Sequence, residues 1–422
     1  MGRMFACAVA GAIGAMLVTG GALAGTGSGL AVQSVEGQLL TGPVATYASS
    51  VSANQRFVQQ ATLDTLGRSA DAANLAFGDV YLGGGGSRTD YARALIMSVE
   101  GRTRFAVAAY EHYLQRDPVA VDLNFWVPRL VAGTVTDEQF RAALLGSDEY
   151  RAAHGGTTPS FVITLWQEVL GHAPDAPTLN FFTMALENGS LTRTDLAYSL
   201  LATPSGYAQT VESLFQTFLH RAADAAAASF FGNQLLIGAA TDEDVAEALV
   251  GSPEYFAHVP SSFATATVDW GDGTSTPASI AGGVVTGAHR YLEEGTWPLT
   301  VAVTDLDGTT RIVTTATVTD APLAAAGTVL TVDKKTAVAE IVATFTDADP
   351  NGVASDYTVT IDWGDGAASS GAVSTARDAF DVTGTHTYKK KGTYTAVVRV
   401  SDVGSASARA TTTVEVVQLK KA

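Results

Sequence analysis

The chain has 422 residues, enough for about two to four domains with sizeable cores. Its 42 acidic and 25 basic residues leave a formal charge of −17, which repels phosphates and excludes nucleic acid as a partner. The single cysteine, Cys7, lies within the first 24 residues, which read as a secretory signal, so disulfides and cysteine catalysis are excluded from a mature chain.

Residues 1–24 read as a secretory signal. Arg3 is the charged start, Phe5 to Val18 is an apolar run, and Ala22-Leu23-Ala24 is a small-x-small cleavage site. No second apolar run of about 20 residues exists, so no membrane span is expected after cleavage. Residues 25–53 are assigned to a flexible linker.

Residues 54–259 read as an all-α repeat domain of four units. Leu66, Leu114, Leu170 and Leu219 occupy matching positions, at intervals of 48, 56 and 49 residues. Each unit opens with apolar residues at helical spacing, as in Phe161, Leu165, Trp166 and Val169. An Asp follows in three units, at Asp71, Asp175 and Asp224. A recurring acid could ligate a metal, but small or helix-starting residues follow each one, and a helix cap accounts for it better. In the second unit, Asp117-Pro118 is expected to take that role, with Pro118 opening the helix.

This half resembles the domain of unknown function 4214. The resemblance rests on Leu-Gly-Arg-x-x-Asp at 66–71, its variants at 170–175 and 219–224, and the Ser-x-Glu-Tyr endings near residues 147 and 252. It implies an exported or surface-associated bacterial protein, and no activity.

From about residue 260 the apolar period changes from 3.6 to 2. Trp297, Leu299, Val301 and Val303 alternate with smaller or polar residues, as do Tyr394, Ala396, Val398 and Val400. Asp-Trp-Gly-Asp-Gly occurs twice, each time ahead of a His-x-Tyr: Trp270 and Asp272 precede His289 and Tyr291, and Trp363 and Asp365 precede His386 and Tyr388. The glycines and aspartates predict a tight turn, and the tyrosines a pinned sandwich corner. These motifs resemble polycystic-kidney-disease (PKD) domains, which implies two immunoglobulin-like β-sandwiches acting as spacers or binding modules, without catalysis. The first module, 260–320, reads as shortened at its N-terminal side; the second occupies 321–418.

Asp347, Asp349 and Asn351 stand on alternate residues ahead of Gly352, a spacing that fits a calcium loop or an acidic turn. Thr358 occupies the twelfth position where an EF-hand needs an acid, so an EF-hand is excluded. The turn is the preferred reading, and calcium is the one cofactor left open.

No zincin, hydrolase-elbow or phosphate-loop motif occurs. Three functions remain. The chain is expected to be a secreted or surface non-catalytic protein whose helical half binds an extracellular protein or glycan. One alternative is an extracellular carbohydrate-active or proteolytic enzyme, or its accessory region, using Glu168 and Asp175; the other is a lattice component that assembles through the open edge of the first sandwich.

Overall fold

The computed structural model describes residues 25–418, so the secretory-signal expectation and Cys7 lie outside the described residues. Two compact units emerge. One holds Val51–Phe263; the other joins the described residues up to Ser50 to those from Ala264 onward.

The first unit is built from four helical repeats. Their helices are α1 (Ala53–Leu66), α2 (Ala72–Gly83) and α3 (Arg88–Ile96), then α4 (Val99–Leu114), α5 (Ala120–Val131) and α6 (Asp137–Leu145). A short α7 (Asp148–Ala153) leads to α8 (Thr158–Leu170), α9 (Ala176–Glu187) and α10 (Arg193–Leu201). The last repeat has α11 (Pro204–Leu219), α12 (Ala225–Leu236) and α13 (Asp242–Val250), followed by α14 (Pro253–His258).

Each of the four matching leucines is the last residue of its repeat's first helix. The next residue turns left-handed: Gly67 at φ 72°, Gln115 at 54°, Gly171 at 77° and His220 at 52°. That conformation satisfies the helix end and releases the chain towards the second helix. The family-like motifs then acquire a shared physical role. Arg68 reaches Glu100 with two bonds of 2.5 and 2.8 Å, Arg116 reaches Glu149 at 2.5 and 2.9 Å, and Arg221 reaches Glu254 at 2.5 and 2.8 Å. The arginine after each of these first helices thus clips a glutamate in the first turn of the helix that follows its own repeat's third helix (α4, α7 and α14), a two-pronged geometry that fixes direction more than it adds stability.

The third helices pack in pairs, α6 on α10 and α3 on α13, so the first repeat meets the fourth and the array closes. Both pairings depend on a glycine. A Cβ on Gly146 would lie 2.6 Å from the Thr194 nitrogen, and one on Gly251 2.7 Å from the Thr89 nitrogen. Inside, Phe140, Phe161, Leu165 and Leu196 are fully buried.

The second unit contains two sandwiches. The first uses β1 (Thr26–Gly29), β2 (Val32–Val35), β3 (Leu39–Ala48), β4 (Thr265–Asp269), β5 (Ser275–Ala281), β6 (Val284–Arg290), β7 (Gly295–Asp305) and β8 (Gly308–Thr319), in the order β1-β3-β6-β5-β4-β7-β8-β2. Strand β5 pairs with β4 through Ala278 and with β6 from Ser279, so it crosses between the layers. The other sandwich uses β9 (Leu323–Gly327), β10 (Val329–Asp333), β11 (Ala337–Asp347), β12 (Tyr357–Asp362), β13 (Ala368–Ser370), β14 (Ala372–Thr375), β15 (Phe380–Thr387), β16 (Gly392–Asp402) and β17 (Ser407–Val417). Its sheets run β10-β17-β16-β12-β13 and β14-β15-β11-β9.

Two expectations require correction. Residues 25–53 are not a linker: most of them form β1 to β3. Nor is the first sandwich short of strands, because Val32 pairs with Ala316 in a parallel ladder and Leu39 with Arg290 in an antiparallel one. The helical domain is therefore inserted in the chain between β3 and β4. The same position in the second sandwich, between β11 and β12, holds only residues 348–356. Because β2 and β3 occupy the places supposed vacant, the lattice reading loses the open edge on which it rested.

Candidate functional site

The recurring acids act on the backbone. Asp71, Asp175 and Asp224 each stand at the N-cap of a second helix, accepting from Asn74 N at 2.7 Å, Thr178 N at 2.8 Å and Ala227 N at 2.9 Å. Those bonds, from the Thr178 side chain first and then its backbone, hold the Asp175 carboxyl below its ordinary range. In the second repeat the structure differs from expectation. Val119 takes the cap position without a side-chain bond, and Asp122 reaches back to Val119 N at 3.1 Å; Asp117 caps nothing and Pro118 lies ahead of the helix. The pair proposed for an enzyme is also separated. Glu168 meets His112 Nε2 at 2.6 Å, while α8 ends before Asp175.

The two Asp-Trp-Gly-Asp-Gly stretches build nearly superimposable clusters. In the first sandwich Trp270 is wholly buried, and Tyr291 donates to Trp270 O at 3.0 Å. Asp272 accepts from Thr274 N at 3.0 Å through one oxygen and meets His289 Nε2 at 2.7 Å through the other. The imidazole lies flat on the indole, with centroids 4.8 Å apart and planes 16° apart. Gly271 at φ 81° and Gly273 at φ 90° supply the reversal. In the second sandwich Tyr388 donates to Trp363 O at 3.0 Å, Asp365 meets His386 at 2.9 Å, and the rings stack at 5.0 Å and 18°. Burial works against ionising either aspartate, yet the bonds each one accepts outweigh it and hold both carboxyls low. With every acid oxygen engaged around a ring stack, these clusters fasten a corner and leave no free base.

Asp347, Asp349 and Asn351 form a bonded ladder. Asp347 Oδ1 accepts from Asp349 N at 2.8 Å and its Oδ2 from the Tyr357 hydroxyl at 2.6 Å; Asp349 Oδ1 accepts from Asn351 N at 3.1 Å and Nδ2 at 3.2 Å. This is the bonding pattern of an acidic turn. Among the described residues, no three His, Cys, Asp or Glu side chains form a group able to hold a metal.

Two arrangements had no sequence motif. Glu36, 5% exposed, sits beside Asp320 and Glu294 and accepts from Ala321 N at 2.9 Å. Burial, then the two neighbouring acids, push its carboxyl up to about 8, although the Ala321 bond pulls the other way. Asp320 accepts from the backbone N–H groups of Ser405 and Ala406 and stays low despite burial, so Glu36 is the member that keeps a proton.

The second arrangement is a cavity of about 390 Å³ among α1, α4, α6, α11 and α13. Buried Arg102 pairs with Asp137 and, at 3.0 Å, with Glu243; Arg141 pairs with Asp242 and donates to Thr210 Oγ1 at 3.3 Å. Burial and the Glu243 charge push the Asp137 carboxyl up to about 7 against the pull of Arg102 and Arg141. The signal in the sequence was faint: one arginine at the apolar start of a first helix, and acids after Thr136 and Thr241 that look like ordinary first-turn residues.

Together these features define an all-α repeat domain accompanied by two immunoglobulin-like sandwiches. Residues 141–205 match the family described as "Domain of unknown function (DUF4214)", a stretch that runs from within α6 past α10. No curated protein matches the chain. Among solved structures, the chain is similar to the PKD domain of an M14-like peptidase from Thermoplasmatales archaeon SCGC AB-540-F20, at 27% identity over 23% of this chain and 97% of that one, with a TM-score of 0.18. It is also similar to the fibronectin(III)-like modules of Clostridium thermocellum CbhA, at 16% identity over 37% and 81%, with a TM-score of 0.19. A third is the human desmocollin-1 ectodomain, at 15% identity over 37% and 35%, with a TM-score of 0.21.

Proposed function

We propose that the chain is an exported, non-catalytic protein of the cell surface or surroundings. Its helical repeat domain binds an extracellular protein or glycan, and its sandwiches serve as spacer or adhesion modules. The observation that carries this reading is the use of the recurring acids: Asp71, Asp175 and Asp224 begin helices, while Asp272 and Asp365 hold a turn and a stacked histidine. Groups bonded in this way are poor general acids or bases, since proton transfer needs a free, reachable partner. No described helix is long and apolar enough to cross a membrane. The N-terminal signal motif supports export.

A pulldown of the mature chain on purified cell-wall material and a glycan array tests the proposal. Saturable retention without turnover is expected. Sustained hydrolysis of a polysaccharide or peptide by the purified chain would overturn it.

A further inference from the structure

We infer that a polar pocket in the third repeat binds an oxyanion: inorganic phosphate or sulfate, or a carboxylate carried on a small ligand. This goes beyond the surface-binding role proposed above and does not depend on it. The pocket, about 430 Å³, takes its wall from α7, α8 and α10 and the end of α9. Arg151, Thr158, Thr192, Arg193 and Thr194 all line it, so guanidinium and hydroxyl donors surround one space. Its volume falls within the roughly 300–1,000 Å³ typical of small-molecule sites.

Comparison of the repeats shows what is special here. Arg102 and Arg151 hold equivalent places, each four residues beyond a capping serine, Ser98 or Ser147, in the helix that follows a third helix. Asp137 and Arg193 are equivalent too, each opening a third helix behind a capping threonine. Arg102 therefore pairs with Asp137, and also with Glu243 at 3.0 Å. Where that acid stands in the second repeat, the third repeat places another arginine. A second departure opens the space: α4 is continuous, but its counterpart is broken into α7 and α8 at residues 154–157, with Gly155 and Gly156 left-handed at φ 88° and 69°. Ser147 and Leu170 are accordingly 23 residues apart, against 16 for Ser98 and Leu114.

The cations in this pocket are not neutralised from within. Among the described residues, no carboxylate or other side chain pairs with the half-buried Arg151 guanidinium, and the Thr158 and Thr194 hydroxyls make no hydrogen bond. Arg193 donates to Gly146 O at 2.9 Å and meets Asp148 at 2.5 Å, but the Asp148 side chain is 91% exposed and its charge is screened by water. The other acids close in sequence are engaged elsewhere: Glu149 with Arg116 at 2.5 and 2.9 Å, and Asp195 with the Thr192 hydroxyl at 2.6 Å. Thr158 begins α8 and Arg193 begins α10, so the positive ends of two helices add to the guanidiniums. The chain's charge of −17 opposes an anion only weakly at this spot, because charges beyond about 8 Å are screened at physiological ionic strength.

The test is calorimetric titration of the full mature chain, at fixed ionic strength in chloride, with sulfate, phosphate, methyl glucuronate and the neutral methyl glucoside. At least one oxyanion should bind saturably at about 1 mM or tighter, and the neutral glycoside at least about tenfold more weakly. Binding by the inorganic ions identifies a free oxyanion as sufficient; binding by the glucuronate alone identifies a carboxylate that needs its carrier. Arg151→Gln should weaken binding about tenfold or more without lowering the melting temperature of the unliganded chain, since this guanidinium has no partner to lose. Arg193→Asp installs the residue found at Asp137, gives Arg151 its missing acid and should abolish binding. Arg377→Gln, at an exposed position in the second sandwich, should change nothing. Failure of all three oxyanions to bind, equal binding of the neutral glycoside, full binding by Arg151→Gln, or an equal loss in Arg377→Gln would each overturn the inference.

Discussion

The two sandwiches share a strand plan but differ at one connection. Val44-Ala45-Thr46-Tyr47 in β3 matches Val342-Ala343-Thr344-Phe345 in β11, and both strands carry a bulge there, with Val44, Ala45, Val342 and Ala343 all buried. Gly37 and Lys335, just before those strands, both turn left-handed, at φ 67° and 68°. The matched valines are 298 residues apart, whereas Trp270 and Trp363 are 93 apart; the difference of 205 residues is the helical domain. Where one module closes a short acidic turn, the other admits an entire domain. A sandwich tolerates this because its core lies between the sheets, and a long surface insertion adds only slowly to the entropy of closing a loop.

The largest expected effect tests the equivalence of β3 and β11. Tyr47→Ala and Phe345→Ala each remove a buried ring and should cost about 3–5 kcal/mol in urea unfolding of the respective sandwich. A neutral Tyr47→Ala would break the comparison, since that is the behaviour of a linker.

An intermediate effect separates the modules. Glu36 of the first corresponds to Lys334 of the second. With the Glu36 carboxyl raised to about 8 in the fold and ordinary when unfolded, its contribution is fully present below about pH 4.5 and is lost as the pH rises towards 8. Thermal scans should show stability falling across that window, and Glu36→Gln should flatten the fall. The acids held low, Asp272 and Asp365, act oppositely: their contribution is present above about pH 4 and fades as the pH drops below it.

The smallest effect sharpens the match at the left-handed positions. Lys335→Gly, which restores the residue found at Gly37, should stabilise the second sandwich by about 0.5–1 kcal/mol. Chemical denaturation can read it; destabilisation would mean that the lysine side chain makes an interaction its backbone geometry does not reveal.

Legibility in the sequence followed distance along the chain. The Trp-Gly-Asp-Gly turn and its His-x-Tyr lie within about 25 residues of each other, so their clustering could be read directly. The helix caps were legible for the same reason, except in the second repeat, where Asp122 within the helix replaces a capping side chain. Strands β2 and β3 were hidden. Their partners lie about 240–285 residues later, and the bulge at Pro43–Ala45 interrupts the alternation that marks a strand. Only the shared Val-Ala-Thr-aromatic run betrayed them. The cavity was illegible because Arg102, Asp137 and Asp242 meet only when the repeats close through Gly146 and Gly251.

The most direct measurement is amide hydrogen exchange of the mature chain across residues 32–48. If these strands complete the first sandwich, the amides bonded in β2 and β3 should exchange as slowly as those of Leu299 to Val303 in β7. Exchange at the rate of a free peptide would contradict the account and return the segment to a linker.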